Sequence, residues 1–420
     1  MHSIDPSSPV LVPEVTGIEL DDDLKAFLAG IDIVVPEKHQ RLAFNSLLMG
    51  VPSPERMIPD IWIGIFQERA DYILLYQGPG YDPGGLVYSH STQQVCYMDT
   101  PHLDPDDLDW DDLQTALETY WDCVESEKFV IDVWFPGFGR GDGLATQGWR
   151  LQEWTDLELK IALEAWHDLV DAITKRLPGQ GKNDDPGIHQ KEKDEEMDAF
   201  LISSEILEQY PAIPSFARAF LPRAKRPTFT SIAPQLDIPN EAFVERMGAI
   251  LQELHPDISI TTPQHEMRRI PIFLLFSWRT QGFQFVSQSD SDRWQDIRGH
   301  VYTLDNRAGL YLTPDGTHTH SISPLLPFSV GANGYVRMND GTILELTSQG
   351  QDALYRHHQC SPFLPAHDTP LAAVLVNWCD LIEKGNWHVD ENGVADGGDR
   401  WKEADTQDQA EDYQTDWSCF

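Results

Sequence analysis

Four bases, Arg218, Arg223, Lys225 and Arg226, stand in PSFARAFLPRAKRPTF (214–229) with no acid among them, interleaved with Phe216, Phe220 and Phe229. Bases beside aromatic rings can grip a phosphate backbone and stack an unpaired base, as at the single-stranded end of an RNA. These four residues are therefore candidate RNA contacts. The island runs against a formal net charge of −38 for the 420-residue chain. An acidic protein also needs internal counter-charges, so the plainer alternative is that these bases pair with the acid-rich first half and hold the molecule together.

The opposite charge concentrates at Asp104, Asp106, Asp107, Asp109, Asp111 and Asp112, six carboxylates in nine residues before a helical pattern. Carboxylates accept paired hydrogen bonds from a guanidinium, which makes Asp106, Asp107 and Asp109 candidate contacts for a cationic, arginyl substrate. They also suit a solvated helix start, where acids favour the positive end of the helix dipole.

Other constellations carry less. Thr317-His318-Thr319-His320 would aim both imidazoles to one face of a strand, and Arg356-His357-His358-Gln359-Cys360 is a second donor cluster, but the third ligand of a zinc or iron site is not specified, so no metal is assigned. PGFGRGDG (136–143) follows an apolar run, yet it matches neither G-x-G-x-x-G nor the P-loop and reads as a surface loop. G-x-S-x-G, H-E-x-x-H, S-x-x-K and the kinase set are missing from the chain. Neither a catalytic residue nor a cofactor is assigned.

Several elements must position these groups. Thr155 and Glu158 form a capping-box pattern ahead of Leu159, Leu163, Trp166, Leu169, Val170 and Ile173, which predicts a long amphipathic helix ending at Leu177-Pro178-Gly179. Thr369 as N-cap, Pro370 at the first helical position and Gly385 as terminator bracket a helix over 371–384. Asn240 opens another to about 254, and Asp111 or Asp112 one to about 125. Strand patterns fall at 270–278, 283–286, 301–304, 310–312, 335–338 and 342–346. Asn339-Asp340-Gly341 is a hairpin signal, because these residues tolerate positive φ.

LQTALETYWDCVESEKFVID (113–132) echoes LAAVLVNWCDLIEKGNWHVD (371–390). Leu113/Leu371, Leu117/Leu375, Asp122/Asp380, Glu125/Glu383 and Asp132/Asp390 are identical, and Tyr120/Trp378, Val124/Ile382, Phe129/Trp387 and Ile131/Val389 are conservative matches. Upstream lie GGLVYSHS (84–91) and GTILELTS (341–348). Two related strand-turn-helix halves follow, each an α+β layer with a small antiparallel sheet and packed amphipathic helices. The competing reading is that any two amphipathic helices with aromatic stripes match this well.

Residues 179–195, rich in Gly, Pro and charge, cannot contribute to a core and read as a charged linker. The expected organisation is an acidic domain over 1–178, the linker, a second α+β domain over 196–393 and a disordered acidic tail over 394–420, in which Trp401, Tyr413 and Trp417 follow no period. Five cysteines without C-x-x-C suggest reduced thiols, and no uncharged apolar run approaches about 18 residues. The opening MHSIDPSSPV lacks the basic and apolar parts of a secretory signal, so a cytoplasmic protein without membrane attachment is expected.

FARAFLPRAKRPTFTSIAPQL (216–236), PIFLLF (271–276), AGLYLTPDG (308–316), LLPFSVGANGYVRMNDGT (325–342), LYRHHQCSPF (354–363), NWCDLIEKGNWHVDENGV (377–394) and WRLQEWTDLELKIALEAWHDLVDAITKRLP (149–178) resemble a widespread family of filamentous-fungal proteins. That family is similar to arginine-containing cyclodipeptide synthases, which join an arginyl and a second aminoacyl group from tRNA into a diketopiperazine. The resemblance implies charged tRNA as a partner, secondary-metabolite chemistry and no ATP or metal site. The serine nucleophile of bacterial cyclodipeptide synthases has no counterpart here, so no catalytic residue is carried over. The competing class is a non-enzymatic acidic scaffold that binds basic partners, to which the duplication and the acidic-aromatic tail are suited.

Overall fold

The structure is a computed structural model that describes residues 22–30, 72–77, 85–98, 110–132, 148–152, 154–179, 200–256, 258–259, 272–279, 308–312, 321–338, 341, 343, 354–355 and 369–415. Two compact units emerge: one from residues 1–152 with 359–365 and 419–420, the other from 153–358 with 366–418. Both are α+β.

In the first unit, β1 (Tyr72–Gln77), β2 (Gly85–Ser89), β3 (Gln94–Met98) and β4 (Asp111–Asp112) form an antiparallel sheet in sequential order. Side chains alternate across it with period two. Ile73, Leu75, Leu86, Tyr88 and Val95 face one apolar layer with Leu24 of α1 (Asp22–Gly30) and Ala116 of α2 (Leu113–Glu125). Leu74, Val87, Cys96 and Met98 face the other, beside Tyr72 and Trp110. Asp112 caps α2 by accepting from the Thr115 amide at 2.9 Å. Bonds from the Thr115 hydroxyl and amide hold its carboxyl below the usual range. A hairpin of β5 (Phe129–Asp132) and β6 (Gly148–Leu151) follows.

The second unit carries an eight-stranded sheet, larger than the sequence suggests. Its strands are β7 (Ser231–Ala233), β8 (Leu236–Asp237), β9 (Phe273–Trp278), β10 (Gly309–Leu312), β11 (Ser321–Leu325), β12 (Thr369–Pro370), β13 (Val389–Asp390) and β14 (Gly393–Val394). The order is β12-β11-β10-β9-β8-β7-β14-β13, antiparallel throughout except where β14 runs parallel to β7. Gly393 at that crossing is obligatory: φ is +104° and a Cβ would lie 2.2 Å from the Ser231 carbonyl oxygen. β10 pairs with β9 and β11, while the hairpin partner expected at 301–304 lies outside the described residues, as do 283–286. An isolated bridge joins Arg337 to Ile343 and the Gly341 amide donates to the Met338 carbonyl, while Asn339, Asp340 and residues 344–346 lie outside the described residues.

The helices of this unit are α3 (Asp156–Thr174), α4 (Ser204–Gln209), α5 (Ser215–Phe220), α6 (Glu241–Leu254) and α7 (Leu371–Glu383). The Thr155/Glu158 capping box forms with both reciprocal bonds, and Asn240 caps α6 through the Phe243 amide. Thr369, expected to cap α7, instead donates its hydroxyl to the Tyr355 carbonyl at 2.7 Å, and Pro370 holds the cap position. The apolar stripe of α3 buries Trp166 among Phe220, Phe276 and their neighbours, with the Trp166 and Phe276 rings stacked 5.8 Å apart.

That packing moves the domain boundary. The expected break after residue 178 assigned α3 to the first domain, but its stripe is completed by strands and helices of the second unit, so the division falls at 152/153. Residues 180–195, the bulk of the expected linker, lie outside the described residues. The expected disordered tail is likewise ordered from 394 to 415, folding as 3-10 turns at Gly398–Asp405 and Ala410–Tyr413. Trp401 and Tyr413 are buried, and Trp401 packs edge-on against Trp378 and Trp387. Its indole N–H donates to the Pro234 carbonyl at 2.8 Å. A segment held by a few aromatic anchors needs no helix or strand period, which is why periodicity missed it.

Candidate functional site

The basic island is built into the second unit. Phe216 and Phe220 on α5 are fully buried and stack on each other at 5.9 Å, and Phe229 is buried as well. None of the three rings is placed to stack on a base. The cations are largely engaged. Lys225 pairs with Asp171 of α3 at 2.8 Å, Arg226 donates to the Leu201 carbonyl at 2.8 Å and lies 3.8 Å from Glu241, and Arg218 donates to the Ile213 carbonyl at 3.0 Å. Arg223 is exposed. Of the arrangement expected of Arg218, Arg223, Lys225 and Arg226, the phenylalanines belong to the core and offer no stacking surface, Lys225 and Arg218 are half-buried in contacts within the second unit, and Arg223 and Arg226 face solvent. The counter-charge alternative fits in part, since Asp171 lies in the acid-rich first half of the chain while Glu241 lies in the second.

Asp106, Asp107 and Asp109 lie outside the described residues, as do Thr317–His320, Arg356–Cys360 and the loop 136–143. Asp111 and Asp112, at the end of the same acidic run, form β4, and Asp112 is the cap of α2.

Sequence reasoning passed over a polar chain that begins at His388. Its Nδ1 lies 3.2 Å from Asp396, whose carboxylate also accepts from the His388 amide at 2.5 Å and from Arg400 Nε at 3.3 Å. Arg400 continues to Glu403 at 2.5 Å, and Glu403 accepts from the Tyr413 hydroxyl at 3.2 Å. The Glu403 carboxylate raises the Arg400 pKa, and burial pushes the Tyr413 hydroxyl well above its ordinary value. The imidazole itself is exposed, its side chain at 68% of full accessibility. An oriented imidazole on an open surface can accept a proton from a substrate that settles beside it. The signal was present in DGGDRWKE, where Asp396, Arg400 and Glu403 stand four and three residues apart.

A second missed feature lies on α2. Trp121 is 58% exposed and is flanked on the helix surface by Glu118, Asp122 and Glu125, all exposed. The helix carries no base. Among the described residues, no group of three or more His, Cys, Asp or Glu could hold a metal ion, and no helix is long and apolar enough to cross a membrane. No family model matches the chain, and neither a curated protein nor a solved structure matches it.

Proposed function

We propose that this protein is a non-enzymatic, acidic interaction protein of the cytoplasm that binds basic partners. The observation that carries the reading is the fate of the basic island. Lys225 and Arg218 are held by contacts within the second unit and Arg226 donates to the Leu201 carbonyl, while α2 of the first unit exposes an aromatic ring beside exposed acids that form no ion pair among the described residues. A net charge of −38 steers cationic partners over roughly a Debye length of 8 Å at physiological salt and repels polyanions. Titrating the full chain with a labelled arginine-rich peptide tests the reading, with a Gly/Ser peptide of equal length as control. Saturable binding that weakens with added salt supports it. Absence of binding at low salt, or equal affinity for the neutral peptide, overturns it.

A second reading is the tRNA-dependent cyclodipeptide synthase that the resemblance implies. One observation favours it: the imidazole of His388, oriented by Asp396, is an accessible base that could free an attacking amine. Incubation with charged tRNAs, followed by mass spectrometry, tests it. An arginine-containing cyclic dipeptide that disappears in His388→Ala supports this reading, and its absence from the wild-type reaction removes it.

A further inference from the structure

We propose that the α2 face bearing Gln114, Leu117, Glu118, Trp121 and Glu125 is the docking site for an amphipathic helix of a cationic partner. This rests on the interaction reading above and names the surface responsible.

The echo between 113–132 and 371–390 continues in the structure. α2 and α7 are both thirteen residues long, each follows directly on a two-residue strand, and each precedes a turn and another strand. In the second unit, α3 lies along α7: Arg176 donates to the Glu383 carbonyl at 3.1 Å, and Asp168 lies near enough to Cys379 to act on its thiol. Ala372 and Leu375 on that side are buried, Cys379 is half-buried and Glu383 is exposed. The matching positions on α2 are Gln114, Leu117, Trp121 and Glu125, which fall on one stripe by their three- and four-residue spacing. There Leu117 is half-buried and Gln114, Trp121 and Glu125 are exposed. α1 adds Leu24 and Phe27 to the apolar layer at Ala116 and still leaves Trp121 open. The face that one copy of the motif covers with a helix is uncovered in the other.

Its chemistry selects the occupant. Glu118 and Glu125, three residues before and four after Trp121, put negative charge on its side of the helix, and Gln114 steadies Glu118 through a 2.7 Å bond. A second copy of this chain would bring the same acids against them, so the face repels itself. An incoming arginine can pair with a carboxylate and lie on the indole, while apolar residues one turn away cover Leu117 and the ring.

The test uses the full chain and a labelled amphipathic peptide of about 18 residues with leucine along one stripe and arginine elsewhere, beside a scrambled peptide of the same composition. The patterned peptide should bind more tightly than the scrambled one. Trp121→Ala should weaken it by about tenfold or more, and the double variant Glu118→Gln/Glu125→Gln should reduce both affinity and salt dependence. Circular dichroism should be unchanged in every variant. Unchanged affinity in folded Trp121→Ala and in the double variant overturns this assignment while leaving the general reading standing. Failure of all cationic peptides on the wild-type chain overturns both.

Discussion

Glu127 and Gly385 occupy the same place at the ends of two helices of equal length. Each stands one residue past the cap, each has a left-handed φ, +60° and +81°, and each amide donates to a carbonyl three residues back, Val124 and Ile382. Left-handed backbone is disfavoured for residues with a Cβ and open to glycine. The echo between 113–132 and 371–390 thus extends to helix length, the preceding strand and the terminating turn.

The two positions should respond to substitution in opposite directions. Glu127→Gly relieves the left-handed strain and should stabilise the chain by about 0.5–1 kcal/mol after the added entropy of the unfolded glycine. Gly385→Ala should cost about 1 kcal/mol, from backbone strain alone, since a Cβ there would meet nothing within 4 Å. Urea unfolding followed by circular dichroism measures both. Destabilisation by Glu127→Gly would contradict the correspondence.

Asp405 tests the ordered C-terminal segment. Its buried carboxylate accepts from the amides of Gly331, Asn333 and Tyr335 at 2.9, 2.7 and 3.0 Å, tying the 3-10 turn to a distant loop. Asp405→Ala strips the partner from three amides and should cost about 2–4 kcal/mol. Truncation after Gly393 removes Trp401 and Tyr413 from the aromatic core and should abolish the near-ultraviolet dichroism of the second unit. Native spectra in the truncated chain would restore the disordered-tail expectation.

The rings and bases of 214–229 should behave as core and clamp. Phe220→Ala should destabilise the protein by about 3–5 kcal/mol, as expected for a buried ring in contact with Trp166 and Phe216. Lys225→Met should cost no more than about 1 kcal/mol, because its pair with Asp171 is partly exposed. Filter binding to tRNA should be weak in the wild-type chain and unchanged when Arg223, Lys225 and Arg226 become Glu. Tight wild-type binding lost in that triple variant would contradict this account.

Cys379 offers a pH test. Partial burial, with the charges of Glu383, Asp168 and Asp380, pushes its thiol from 9.0 to about 11. The folded state thus favours the protonated thiol. Its contribution to stability is complete below the unfolded pKa and is lost as pH rises through about 11. At pH 8 the thiolate is scarce, so alkylation by iodoacetamide should run roughly tenfold or more below a free thiol and climb steeply toward high pH. Peptide mass spectrometry reads the rate at this position. A free-thiol rate at pH 8 in folded protein would contradict the assigned environment.

Local rules made several elements legible. The Thr155/Glu158 box, the Asn240 cap and Gly385 act through bonds within one turn, so their residue types suffice to read them. Trp401 and Tyr413 were misread because their partners lie far away in sequence, and an aromatic anchor without periodic neighbours looks like a solvated tail. The burial of the rings at 214–229 was hidden for a related reason. Charge composition reveals that bases are present, but whether each one meets solvent or an acid depends on tertiary packing such as Lys225 with Asp171. The openness of Trp121 was similarly hidden, since its counterpart Cys379 is partly buried beside α3.

The most direct test is a calorimetric comparison of the full-length chain with the leucine/arginine-patterned helix in one cell and uncharged tRNA in another, at the same ionic strength. Saturable heat with the peptide, sharply reduced by Trp121→Ala, and none with tRNA is the expected result. Saturable heat with tRNA and none with the peptide would contradict it.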